Sequence, residues 1–275
     1  MEYIAYKNNI ILKNMPCFDL EQTFNCGQAF RWECDENGVW RGIARGKYLE
    51  LTQKNGDILF FNTSLQDFKN IWIDYFDLNR DYKRIIEDIS DNEILKNASS
   101  YGSGIRILRQ EPWETLCSFI ISQNNNIPRI KGIIKRLCEN FGDKTEGGYT
   151  FPSAEKISKL TIDDLNILKS GFRAKYILDA AQKVYKKEIE LDALKDTDID
   201  SAREKLMLIK GVGPKVADCT LLFGLGFLNA FPKDVWIKRA ITVLFDGEFP
   251  ESAYDYAGVV QQYIFYYARE TKLEI

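Results

Sequence analysis

The period of the hydrophobic pattern changes once along this chain, near residue 95, and that change limits the folds open to it. Before it, short runs rich in aromatic and β-branched residues alternate with turn signals over 3–14, 29–46 and 47–64. Glu36-Asn37-Gly38 and Asn55-Gly56-Asp57 sit between apolar runs. Asn and Gly tolerate the positive φ that tight hairpins demand. These segments predict an antiparallel sheet, edged by a helical stretch over 65–76 in which Phe68, Ile71, Trp72 and Tyr75 recur at helical spacing. Beyond residue 95 apolar residues return every three or four positions, predicting helices over 112–123, 128–141 and 173–187. A block of strands followed by a block of helices is the pattern of an α+β protein, not of a parallel α/β sheet. The expected division is an antiparallel β-sheet subdomain with flanking helices over 1–100 and an all-helical domain over 101–275, with 145–155 a loop inside it.

At 275 residues, 45% hydrophobic, the chain can bury one large core or two modest ones. No stretch approaches the ~18 apolar residues of a bilayer span, and the first residues lack the basic-then-apolar order of a signal peptide. A cytoplasmic protein without membrane contact is expected. The six cysteines are dispersed without CxxC spacing and are expected as free thiols. There is no histidine. That removes His-ligated zinc, Ser-His-Asp triads and imidazole acid–base steps, leaving Lys, Asp, Glu, Cys, Tyr or a metal held by oxygen or sulfur. The net charge of −3 does not advertise a nucleic-acid partner, but the acidity is uneven. Residues 1–100 carry 12 Lys/Arg against 16 Asp/Glu, whereas residues 101–275 carry 25 against 24.

The most informative stretch is 203–241, which reads as helix, glycine-rich turn and helix, with the hairpin at about 204–222. Leu206, Ile209 and Val212 form an apolar stripe leading into Lys210-Gly211-Val212-Gly213-Pro214, and Val216, Ala217, Leu221 and Leu222 continue it. Gly211 and Gly213 allow positive φ and close backbone approach, and Pro214 suits the first turn of a helix. Backbone N–H groups at that helix start would favour an anion such as a DNA phosphate. The glycine pattern by itself suits an ordinary joint between packed helices equally well.

Lys215 falls in the first turn of an otherwise apolar helix, where the dipole disfavours a cation and partial burial would lower its pKa. A neutral amine is a nucleophile, although a lysine taken alone is ordinarily a solvated surface residue. Asp234, in Pro232-Lys233-Asp234-Val235, suits the N-cap of the next helix, and that role alone would account for it.

Together these segments resemble the 8-oxoguanine DNA glycosylase/lyase family of the helix-hairpin-helix (HhH-GPD) superfamily. There a GVGxKVADC segment supplies the nucleophile and a later PxDV the catalytic carboxylate, here the segments containing Lys215 and Asp234. The resemblance implies a sheet subdomain followed by a helical HhH-GPD domain. It implies a bifunctional enzyme that flips 8-oxoguanine out of duplex DNA, preferentially opposite cytosine, cuts the glycosidic bond and nicks the strand through a lysine Schiff base. No cofactor is implied, beyond a possible cation where the hairpin meets phosphate. The partner is double-stranded DNA carrying 8-oxoguanine, and a monomer is expected.

The resemblance extends to further residues. Gly27, in Cys26-Gly27-Gln28, matches the glycine whose carbonyl accepts the N7–H of the oxidised base. Gln261 matches the reader of its Watson–Crick edge, and Phe265 with Cys219 the pair that sandwiches it. Asn124 would fill the gap left by the flipped base, Arg129 and Arg173 would hydrogen-bond the widowed cytosine, and Phe172 would wedge beside it where many relatives have Tyr. Gly211 and Gly213 would contact DNA through the hairpin. Trp236 stands where animal and fungal members commonly have His, and Ala268 where they have Asp, so those roles are not carried over. No Cys follows Cys219, so the iron–sulfur cluster of the endonuclease III branch has no ligands. Two other readings stay open: a sibling glycosylase for alkylated or mismatched bases, and a noncatalytic hairpin module that recognises bent DNA.

Overall fold

The computed structural model describes residues 1–271. Six strands form one antiparallel sheet: β1 (Glu2–Tyr6), β2 (Asn9–Lys13), β3 (Trp32–Cys34), β4 (Trp40–Ala44), β5 (Lys47–Lys54) and β6 (Asp57–Phe61), in the order β1-β2-β6-β5-β4-β3. Local turn chemistry sets the hairpins. Asn55 and Gly56 both take positive φ between β5 and β6, as do Arg45 and Gly46 between β4 and β5. Between β3 and β4, Asp35 Oδ1 accepts from the amides of Asn37 and Val39, and Gly38 takes φ +75°.

By packing, the chain divides into two compact units. The first comprises residues 1–28, 51–109 and the chain from 227 onward. Its core begins on the β2–β6 ladder, where Ile10 pairs with Phe60 and Leu12 with Ile58, all fully buried. The stretch 65–76 forms a helix as expected, interrupted by a π turn over Phe68–Trp72. Phe68 and Phe76 meet the Phe60 ring at 5.1 and 5.7 Å between centroids, edge to face. The C-terminal helix Ala257–Glu270 packs on the helix Glu93–Tyr101, whose Tyr101 touches Tyr266 and Tyr267. Arg106, 1% exposed, donates to the Asp77 and Pro16 carbonyls and lies over the Tyr82 ring, so a buried charge ties three segments of this unit together.

The second unit comprises Ala29–Glu50 and Gln110–Gly226. Its axis is the helix Pro112–Ser122, with proline in the first turn and every residue from Thr115 to Ile121 buried. Phe119 stacks on Phe223 and meets Phe30 edge to face. The helices Ile127–Phe141 and Arg173–Tyr185 pack on it, close to their expected bounds, and the helix Ile199–Met207 packs on the helix Pro214–Thr220. The segment 145–155 is more ordered than the expected loop: Lys144–Thr145 and Gly148–Tyr149 pair as a small hairpin, and the helix Ala154–Ser158 starts from a Ser153 cap. The expected cut at residue 100 divides the chain along its sequence, whereas the compact units group segments by what buries them. A periodic pattern says that a helix face is apolar but not which segment covers it. Among the described residues no helix is long and apolar enough to cross a membrane.

Candidate active site

In the second unit, the helix Ile199–Met207 leads through Leu208–Gly213 into the helix Pro214–Thr220. Arg203 Nε donates to Asp218 Oδ1 at 2.7 Å, linking the two arms. Gly211 has φ +77°, and a Cβ there would fall 2.3 Å from the Tyr176 ring, so the turn admits only glycine. Gly213 departs from the expectation: its φ is −102°, which any residue adopts, and a Cβ would meet nothing within 4 Å. Asp179 braces the turn. Its Oδ2 accepts from the Lys210 amide at 2.8 Å, and Lys183 Nζ lies 3.0 Å away. Burial alone would raise the Asp179 carboxyl, but the Lys210 amide and the two lysine charges together hold it below its usual value.

Lys215 is half-buried in the first turn of the helix Pro214–Thr220. Its Nζ lies 3.2 Å from Ser122 Oγ and 4.9 Å from the Phe119 ring centroid, and it makes no ion pair among the described residues. Ser122 closes the helix Pro112–Ser122, so the lysine stands beside the asparagine-rich turn that follows. That turn uses its asparagines unequally. Asn125 Nδ2 donates to the Ile121 carbonyl, ending one helix, and Asn126 Oδ1 accepts from the Arg129 amide, starting the next. Asn124 has φ +45°, is exposed, and its side chain makes no hydrogen bond among the described residues. The two capping roles open to these asparagines are therefore both filled, with one asparagine left over.

Arg129 is exposed on the first turn of the helix Ile127–Phe141. Arg173, expected to hydrogen-bond the widowed cytosine, is 2% exposed, and its guanidinium donates to the carbonyls of Gln123, Asn124 and Ser170. Burial and the neighbouring Arg129 charge both pull its pKa down. It braces the turn from behind. Phe172, just before it, is 48% exposed, with Arg173 over one face of its ring and Tyr176 at its edge. A large exposed aromatic on the same element as that brace suits insertion into a base stack. Cys219 is buried one helical turn beyond Lys215.

In the first unit, Asp234 caps the helix Val235–Phe245, Oδ1 accepting from the Ile237 amide at 2.8 Å. Its other oxygen has no partner among the described residues. Trp236, for which no role was expected, is 48% exposed on the same turn, and Ala268 is buried. Gly27 takes φ +84°, and a Cβ on it would lie 3.7 Å from Phe265 Cε1. The helix Ala257–Glu270 thus brings Phe265 beside Gly27, with Gln261 one turn earlier and almost fully buried. Gln262 Nε2 donates to Gln261 Oε1 at 2.7 Å. Asp179, Ser122 and Gln262 were not anticipated. The first two act across 31 and 93 residues of sequence, beyond the reach of any local pattern. Among the described residues no three Cys, Asp or Glu side chains come together to hold a metal.

Residues 10–116 match the family described as "8-oxoguanine DNA glycosylase, N-terminal domain", and residues 117–248 match "HhH-GPD superfamily base excision DNA repair protein". Over 269 residues the chain is 35% identical to the N-glycosylase/DNA lyase of Saccharomyces cerevisiae, spanning 86% of this chain and 70% of the yeast protein. The Clostridium acetobutylicum 8-oxoguanine glycosylase/lyase, solved with dsDNA containing cytosine opposite 8-oxoG, has a TM-score of 0.93 at 38% identity, over 99% of both chains. MBOgg1, solved with a low-affinity DNA ligand, has a TM-score of 0.93 at 42% identity, over 99% of this chain and 100% of that one. By matches that run through both halves of its sequence, the chain belongs to the 8-oxoguanine DNA glycosylase family of the HhH-GPD superfamily.

Proposed function

We propose that this protein removes 8-oxoguanine from duplex DNA and nicks the strand at the resulting abasic site, with Lys215 as nucleophile and Asp234 as its carboxylate partner. The observation that carries this reading is the setting of Lys215: a half-buried amine against an aromatic ring and a hydroxyl, with no carboxylate paired to it. A structural lysine is normally either paired or fully solvated. Flipping the base costs a few kcal/mol of stacking and pairing. Asn124, the exposed Phe172 ring and the exposed Arg129 offset that cost by occupying the space the base vacates. Arg129 supplies N–H donors to the acceptors of cytosine, giving a preference for that base opposite the lesion, while Arg173 positions the turn that presents Asn124.

Gly27 offers its carbonyl to N7–H, which 8-oxoguanine has and guanine lacks, while Phe265 beside it stacks on the base. As the base departs, positive charge grows on C1′, and Asp234 stabilises it electrostatically. The Lys215 amine then bonds C1′. Opening of the sugar gives an imine, loss of a C2′ proton follows, and the C3′–O bond breaks with release of the 3′ phosphate. Backbone amides of the 208–213 turn hold a neighbouring phosphate, and a cation at the turn carbonyls would strengthen that contact. The enzyme works as a monomer in the cytoplasm and needs no cofactor for these steps.

Borohydride trapping on a labelled duplex with 8-oxoguanine opposite cytosine tests this. A covalent adduct is expected with the native protein, weaker with adenine opposite, and absent with an undamaged duplex or with Lys215→Gln. Base release without an adduct would overturn the lysine assignment, and duplex binding with neither would favour a noncatalytic module.

A further inference from the structure

The amide pair at Gln261 and Gln262 has a built-in polarity. Both side chains are buried, at 5% and 4% exposure, and Gln262 Nε2 donates to Gln261 Oε1 at 2.7 Å. This fixes Gln261 Oε1 toward its neighbour. Gln261 Nε2 donates to nothing among the described residues, and it is not among the unpartnered polar atoms sealed from solvent. Gln262 Oε1 is sealed and has no partner.

Each carboxamide could be turned over in principle, so the direction of this bond needs a physical reason. Turning both would put the Gln262 NH2 where its Oε1 now sits, sealed and unpartnered. The present direction leaves one Gln262 N–H and its carbonyl oxygen without partners, whereas turning both leaves two N–H groups, and buried N–H groups without acceptors are rarer than unpartnered carbonyl oxygens. The pair therefore prefers the state in which Gln261 presents its donor end.

We infer that Gln262 is a positioning residue that sets the direction of the Gln261 carboxamide and thereby makes the enzyme select a purine with an acceptor at C6. The inference rests on the proposed reading of Gln261 as the group facing the Watson–Crick edge of the flipped base. Guanine derivatives carry O6, which accepts from Gln261 Nε2, and N1–H, which donates to the second lone pair of Gln261 Oε1. 8-Oxoadenine has the same oxidation at C8 but an amino donor at C6 and an acceptor at N1. It meets a Gln261 held in this direction donor against donor, and a site built for one hydrogen-bond pattern rejects the reverse.

The test is the ratio of single-turnover excision rates for 8-oxoguanine and 8-oxoadenine, each opposite cytosine, in the native enzyme, Gln262→Met and Gln262→Glu. The ratio within one protein cancels differences in the folded fraction, which a purely structural role would alter. Gln262→Met keeps the volume but frees Gln261 to turn over, and the preference for 8-oxoguanine is expected to fall about tenfold, the size of one hydrogen bond. An ionised Gln262→Glu side chain only accepts, so it draws Gln261 Nε2 inward and is expected to lower the ratio further. Should Gln262→Glu not fold, Gln262→Met decides. Ratios within twofold of the native value in active variants would overturn the inference alone. A native enzyme that binds the duplex but releases no 8-oxoguanine would overturn the proposed function instead.

Discussion

A Cβ on Gly211 would enter the Tyr176 ring, whereas one on Gly213 would enter open space. The two glycines of one turn therefore answer to different demands, the first from inside the protein and the second from whatever approaches the backbone. Gly211→Ala combines positive φ with overlap and should cost about 2–4 kcal/mol, lowering Tm and duplex affinity together. Gly213→Ala should leave Tm unchanged and weaken duplex binding about tenfold, because a methyl group stands where a phosphate approaches the amides. Thermal melts and titrations of the two variants check this. Equal affinity of Gly213→Ala and the native protein would remove the hairpin from the DNA contact.

The helix Arg173–Tyr185 supports both of the turns assigned to DNA. Arg173 at its start grips the Gln123 and Asn124 carbonyls, and Asp179 in its middle holds the Lys210 amide. Asp179→Ala should weaken binding to damaged and undamaged duplexes by the same factor, about tenfold, with little change in rate at saturating DNA. Because the folded Asp179 carboxyl lies below its unfolded value of ~3.9, its stabilisation is complete above that pH and is lost as pH falls through the lower folded value. Melts of native and Asp179→Ala protein should therefore converge in acid. A constant difference down to the acid limit would show that the carboxylate charge contributes nothing.

Neither brace could be read from the sequence. The β-hairpins with Asn-Gly turns could, because turn chemistry and strand alternation are local, and so could the helix Pro112–Ser122, whose apolar residues recur every three or four positions. Lys215 and Asp234 were found through two motifs at a family spacing. The inward turn of Arg173 was hidden because the carbonyls that hold it belong to Gln123 and Asn124, some 50 residues away in sequence.

As a whole the molecule carries a net charge of −3 and yet is assigned a polyanion as substrate. Its exposed cations at the relevant turns, Arg129, Lys175 and Lys210, make the local field the quantity that matters. If about four phosphates are neutralised, raising salt from roughly 50 to 200 mM should weaken duplex binding about a hundredfold. Affinity that is flat in salt would mean that the global acidity prevails.

The first compact unit recovers the chain at residue 227 and takes its last wall from Ala257–Glu270, packed on the helix Glu93–Tyr101. At a synthesis rate of roughly 10 residues per second, the about 150 residues between those helices take about 15 s to make. Through that interval the nascent chain carries the apolar face of Leu95 and Ala98 without its cover, and the unit that ends at Gly226 receives its last segment before that cover is made. The part of the protein begun first on the ribosome is thus the part completed last.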